Sequence, residues 1–107
     1  MKVVLHPEAE AEVDQAATWY EKQRASLGGD FHTEVATALG RIRDSPDSHP
    51  RLRGIRVLPP IRRAFLKRFP YTVIFERYAQ NVLVLAVAHA RRRPRYWLSR
   101  RSSTQER

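Results

Sequence analysis

The sequence predicts an α+β domain of order β-α-α-β-β-β, in which a helix hairpin covers an antiparallel meander. Three observations carry that prediction. Apolar residues recur at helical spacing in two blocks before residue 45, separated by Leu27-Gly28-Gly29-Asp30. After residue 60 the pattern turns to runs of β-branched and aromatic residues, broken by Pro70 and by Ala79-Gln80-Asn81. A chain of 107 residues with no cysteine suits one domain held by packing alone, without disulfides or thiolate metal sites.

The elements follow in order. Lys2 to Leu5 is a short apolar run that reads as a strand and stops at His6-Pro7. Proline suits the first helical position, where its missing N–H is not needed. Glu8, Glu10, Glu12 and Asp14 then sit near the positive end of a helix. Ala9, Val13, Ala16, Ala17 and Tyr20 give that helix one apolar face, over about residues 7–25. Gly28 or Gly29 supplies a left-handed helix stop and Asp30 caps the next helix. Phe31, Val35, Ala38, Leu39 and Ile42 form its apolar stripe, ending at about Asp44. With so short a connection the two helices are expected to lie antiparallel.

Ser45 to Pro50 reads as a loop, and Ile55–Leu58 as a short strand cut off by Pro59-Pro60. Ile61 to Phe69, Tyr71 to Tyr78 and Val82 to Ala88 are the expected strands of the meander. The last is continuously apolar, as for a strand buried on both faces. Tyr96 to Arg101 suggests a short final helix, in which Trp97 anchors the segment against the sheet. One domain is expected over residues 1–101, with a polar, fraying tail over 102–107. No run is long enough to span a bilayer and no signal-peptide pattern opens the chain, so a cytoplasmic protein without membrane contact is the simplest reading.

The net charge of +9 is unevenly placed. Residues 1–50 hold nine acidic and five basic side chains; residues 51–107 hold two acidic and fifteen basic. Seventeen of the twenty basic residues are arginine, the side chain suited to bidentate contact with phosphate or carboxylate. A general preference for arginine explains its excess over lysine but not the confinement of the acids to the front half. The apolar strand at 82–88 runs into His89, Arg91, Arg92, Arg93 and Tyr96, which carries charge to one edge of the domain. Arg100 and Arg101 are read here as mobile charges in a fraying segment. His6, His32 and His49 are scattered without metal-ligand spacing, and neither a metal nor a cofactor is expected.

Several segments, taken together and in this order, resemble the RelE/ParE superfamily of toxins from bacterial type II toxin–antitoxin systems. They are Leu27-Gly28 with Phe31 just beyond, Arg62-Arg63 leading into Phe69-Pro70-Tyr71, and Val87-Ala88-His89-Ala90-Arg91-Arg92-Arg93-Pro94. The chain is most similar to the ParE-like, plasmid-stabilisation branch. The resemblance implies a small toxin neutralised by a cognate antitoxin, a small acidic protein with a segment that folds on contact. The +13 half-chain would steer such a segment in. The target implied by the ParE type is DNA gyrase; by the RelE type it is mRNA on the ribosome. A non-toxic nucleic-acid-binding domain is a third reading.

RNA cleavage by attack of the 2′-hydroxyl needs a base, an acid and charge stabilisation at the phosphate. His89, Arg63, Arg91 and Tyr96 are the catalytic candidates under that reading, His89 as acid or base and Tyr96 as stacking group or proton donor. Arg62, Arg63, Lys67, Arg68, Arg91, Arg92 and Arg93 are the candidates for binding the target or a nucleic acid. Arg62 and Arg63 alternate across a strand, so only one of them can face a given groove. The plain alternative for His89 is a structural histidine bonded to backbone at a strand end. Tyr71 and Phe69 read as core or turn packing, and Trp19 as either a contact residue or part of the hairpin packing.

Overall fold

The computed structural model describes residues 1–105, with side chains described as far as Arg101. Strand β1 (Lys2–Leu5) leads into helices α1 (Pro7–Gln23) and α2 (Leu27–Asp44). Strands β2 (Ile61–Phe65), β3 (Tyr71–Tyr78) and β4 (Asn81–His89) follow, then helix α3 (Leu98–Gln105). The sheet order is β1-β4-β3-β2, with β1 parallel to β4 and the other pairs antiparallel. The expected α+β architecture and meander are present; the helix hairpin carries the chain from β1 at one edge to β2 at the other, and the meander returns β4 beside β1.

One sheet face packs on the hairpin. Val13, Phe31, Val35 and Ile42 meet Val73, Phe75, Val84 and Val87 there. Tyr20, Phe31, Phe69 and Tyr71 close the end of this core, with ring centres 4.8–5.5 Å apart for the Tyr20–Phe69, Phe31–Phe69, Phe31–Tyr71 and Tyr20–Phe31 pairs. The opposite face buries Ile61, Ile74, Leu85, Ala86 and Trp97 beneath Leu52, Ile55 and Val57. That cover is irregular chain, and Trp97 anchors the C-terminal segment as expected. Covering on both faces explains why β4 is uniformly apolar.

Four boundaries differ from expectation. First, Helix α1 stops at Gln23, and the turn residue with positive φ (77°) is Ser26, not a glycine. Gly28 and Gly29 lie inside the first turn of α2. The capping carboxylate is Glu21 of α1, which accepts from the N–H groups of Ser26 and Gly28, both at 2.9 Å. Gly28 is required by close approach instead: a Cβ there would lie 2.6 Å from the Ala17 carbonyl oxygen.

Second, Ile55–Leu58 forms no strand. The β2 edge is instead met by residues 50–52, through Leu52 N–H to Ile61 O (2.8 Å) and Arg63 N–H to Pro50 O (3.1 Å). Third, β2 ends at Phe65. Beyond it, Glu34 of α2 accepts from the N–H groups of Lys67 (3.0 Å) and Arg68 (3.2 Å), drawing the chain out of the ladder. Fourth, α3 reaches Gln105, past the expected end at Arg101. The tail expected over 102–107 falls mostly on side chains and residues outside those described. Among the described residues, no helix is long and apolar enough to cross a membrane.

Candidate functional site

The candidate residues gather where β4 leaves the sheet. Strand β1 is paired with β4 only from Lys2 to Leu5, and the His6 N–H closes on Val84 O at 2.8 Å. From Leu85 onward that side of β4 has lost its strand partner, and buried backbone groups there need another. Glu12 of α1 accepts from the Val87 N–H with Oε1 (2.9 Å), and the Arg100 guanidinium donates to Leu85 O (2.9 Å). The two side chains also meet: Arg100 Nη2 lies 2.9 Å from Glu12 Oε2, which accepts from the Tyr96 hydroxyl as well, at 2.6 Å. One carboxylate and one guanidinium thus replace the missing strand and fasten the C-terminal segment to α1.

This assigns Tyr96 and Arg100 differently from the sequence expectation. The Tyr96 hydroxyl is committed to Glu12; burial, then the hydrogen bond and charge of Glu12, push its pKa well above the ordinary 10.0. A phenol held that firmly is a poor proton donor to a leaving group. Arg100 is 8% exposed and not a mobile charge. Burial alone would lower its pKa, but the hydrogen bond and charge of Glu12 outweigh that and raise it. Arg101 likewise turns inward, donating from Nε to Oε1 of Glu76 at 2.6 Å and from Nη2 to the Pro59 carbonyl at 3.1 Å. Glu76 is 0% exposed, and its other oxygen takes the Tyr78 hydroxyl at 2.6 Å.

A bulge sets the face of His89. Ile74 pairs with Ala86 but Phe75 pairs with Val84, so Leu85 is an extra residue in β4. Leu85 and Ala86 therefore both reach the face away from the hairpin, and the alternation beyond them is inverted. His89 consequently lies on the hairpin face, edge-on to Tyr71 at 5.0 Å between ring centres. Its Nδ1 accepts from the Arg91 N–H at 3.0 Å. Beside it is a small cleft of about 240 Å³ shared with Glu12, Tyr71, Arg92 and Trp19, the last 57% exposed.

Arg63 is on the other face. It pairs across β2–β3 with Ile74, and its guanidinium lies 4.6 Å from the centre of the exposed Phe65 ring. Arg62 points to the sheet edge and donates to His49 O (2.7 Å) and Asp47 O (3.3 Å), a fixed structural contact. Lys67 and Arg68 stand in the β2–β3 connection, where Arg68 makes an exposed pair with Asp30 at 3.4 Å. Arg91, Arg92 and Arg93 are exposed, with Arg92 stacked 3.8 Å from the centre of the Tyr96 ring. Of the nuclease candidates, Arg91 follows His89 closely, while Arg63 lies on the other face and Tyr96 is wrapped round the open edge between them.

Sequence reading missed Glu12, Glu76, Arg100 and Arg101 as a connected set. Glu76 carried a signal: a lone carboxylate inside an apolar strand of a basic half-chain requires a buried cation. Glu12 carried none, being one of five acids spaced along the same helix. Among the described residues, no group of three histidines or carboxylates is placed to hold a metal ion.

A basic α+β domain of this topology, with its charge at the end of the central strand, defines a recognisable class. The family model for the ParE toxin of the type II toxin–antitoxin system parDE matches residues 3–94, and the chain belongs to that family. Among solved structures it is similar to one described as the chromosomal ParDE TA system from P. aeruginosa, with a TM-score of 0.69 and 16% identity. The match covers 83% of this chain and 95% of the other. No curated protein matches the chain.

Proposed function

We propose that the protein is the toxin of a two-component module, inhibits DNA gyrase through a protein–protein contact, and is neutralised by a small acidic antitoxin. The observation that carries this reading over ribosome-dependent mRNA cleavage is the separation of His89 from Arg63 by the thickness of the sheet. A phosphoryl-transfer site needs its acid, base and charge stabiliser around one reacting atom. The Tyr96 hydroxyl, held by Glu12, supports the same conclusion. What remains accessible is a surface: Arg91, Arg92 and Arg93 beside Trp19, suited to contact with a protein of opposite charge.

The test is controlled induction, with supercoiling by purified gyrase and the integrity of translated mRNA followed in parallel. Wild-type protein is expected to arrest growth and inhibit supercoiling while mRNA stays intact, and His89→Gln to reduce arrest only modestly. Rapid mRNA cleavage that disappears in His89→Gln would overturn the reading in favour of a nuclease. The antitoxin is expected to bind across the sheet and hairpin and to stabilise the fold by about 2.7 kcal/mol at 100-fold over its dissociation constant. An unchanged melting temperature at saturating antitoxin would count against that part.

A further inference from the structure

Arg91, Arg92 and Arg93 are consecutive and all exposed, yet the fold fixes the middle one alone. The Arg92 N–H donates to His89 O at 3.0 Å, which sets the root of the side chain. Its guanidinium carbon then lies 3.8 Å from the centre of the Tyr96 ring. Among the described residues, the side chains of Arg91 and Arg93 make no hydrogen bond, ion pair or ring contact.

The ring under Arg92 is itself anchored. The Tyr96 hydroxyl donates to Glu12 Oε2 at 2.6 Å, across 84 positions of chain. Glu12 also takes the Val87 N–H and the Arg100 guanidinium, both at 2.9 Å, so its oxygens and its charge are already engaged. Arg92 stays 4.0 Å from that carboxylate and its side chain is 52% exposed. Glu12 therefore holds the platform and leaves the arginine that stands on it without a close ion pair.

This arrangement has a chemical consequence. A separation of 3.8 Å from the guanidinium carbon is that of a face-to-face stack. Stacking occupies the flat face of the guanidinium and leaves the N–H groups at its rim to a partner. A side chain already held loses less rotamer freedom on binding, a saving of about two- to tenfold in affinity. Arg92 also lines the cleft with Trp19, Tyr71 and His89, so its direction is set relative to theirs.

We infer that Tyr96, held by Glu12, is a positioning residue for Arg92: it presents the rim of the guanidinium to the target, so that Arg92 contributes more to the contact than Arg91 or Arg93. The inference rests on the reading of this arginine run as the surface that meets the target, and not on the target being gyrase.

Tyr96→Phe and Tyr96→Leu test it as a pair. Both remove the hydroxyl and its bond to Glu12; only the second removes the ring. Growth arrest, compared at equal amounts of folded protein, is expected to need at least about twofold more Tyr96→Leu than Tyr96→Phe. In an Arg92→Ala background the two are expected to act equally, because the ring then has nothing to place. A ring that served the fold alone would make the same difference in both backgrounds. Arg92→Ala is expected to cost more than Arg91→Ala or Arg93→Ala. A second measurement needs no variant at the ring. In the wild-type chain, the Arg92 Nε–H resonance is expected to be shifted upfield by the ring and to show the heteronuclear NOE of an ordered group, with Arg91 and Arg93 mobile. Equal arrest by Tyr96→Phe and Tyr96→Leu, a ring effect that persists without Arg92, equal costs for the three arginines, or an Arg92 as mobile as its neighbours would overturn the inference. Supercoiling is not among these readouts, so failure of the gyrase reading shows in that assay and failure of the positioning role in these.

Discussion

Arg91–Arg93 and Arg100–Arg101 are two runs of one residue type only a few positions apart, and their physics is opposite. The first run is exposed; Arg92 stacks on Tyr96 and lies only at the limit of ion-pair range from Glu12, at 4.0 Å. The second is buried against carboxylates from elsewhere in the chain: Glu12, 88 positions from Arg100, and Glu76, 25 positions from Arg101. An arginine's role is set by whether a buried carboxylate holds it at close range, and that carboxylate need not be a sequence neighbour. Part of the basic charge of the back half is therefore internal cement, and it should be subtracted before the remainder is read as a surface for partners.

The contrast is broken most easily at Glu76. Removing Arg101 with Arg101→Ala leaves a fully buried carboxylate without its cation, a change that typically costs about 3–5 kcal/mol. At about 4–8 °C per kcal/mol for a domain of this size, melting followed by circular dichroism is expected to fall by at least about 12 °C. A fall of only a degree or two would mean that the C-terminal segment does not hold the fold. A smaller effect sharpens the same point at the other carboxylate. In a double-mutant cycle, Glu12→Ala and Arg100→Ala are expected to be coupled by about 1.5 kcal/mol or more, since the two are in direct contact within one largely buried network. Additive losses would show that the two act independently.

Smaller still is the pH effect at Tyr96. Its folded pKa is raised above the unfolded 10.0, so the folded state retains a proton that the unfolded chain has released. The resulting stability is fully present below pH 10 and is lost as pH rises beyond it. Wild-type protein is therefore expected to lose melting temperature between pH 9 and 11 more steeply than Tyr96→Phe. Parallel curves would show that the Glu12–Tyr96 bond contributes nothing to the alkaline limb, leaving Tyr20 and Tyr71, whose pKa values burial also raises, to account for it.

Much of this was legible in the sequence. The helix stripe through Phe31, Val35, Ala38 and Ile42 faces the sheet, and the uniformly apolar Val82–Ala88 is the doubly covered central strand, because periodicity reports burial directly. What escaped is what depends on two distant residues at once. Gly28 looked like a turn glycine, but its reason is the Ala17 carbonyl on the other helix. Lys67 and Arg68 looked like strand residues until Glu34 claimed their amides. The face of His89 was unreadable because it depends on the extra residue at Leu85, and a bulge in a uniformly apolar strand leaves no mark in the alternation. Arg100 looked mobile for want of any local sign of Glu12.

Thermal melting and growth arrest measured on the same two variants test the division of the arginines most directly. Arg91→Ala with Arg92→Ala is expected to keep its melting temperature within a few degrees of wild type while clearly weakening growth arrest at matched expression. Arg101→Ala is expected to lose stability first, with arrest falling only in proportion to the folded fraction. If the Arg91/Arg92 variant unfolds, or if it arrests growth as strongly as wild type while remaining folded, the assignment of the exposed run to function and the buried run to the fold is contradicted.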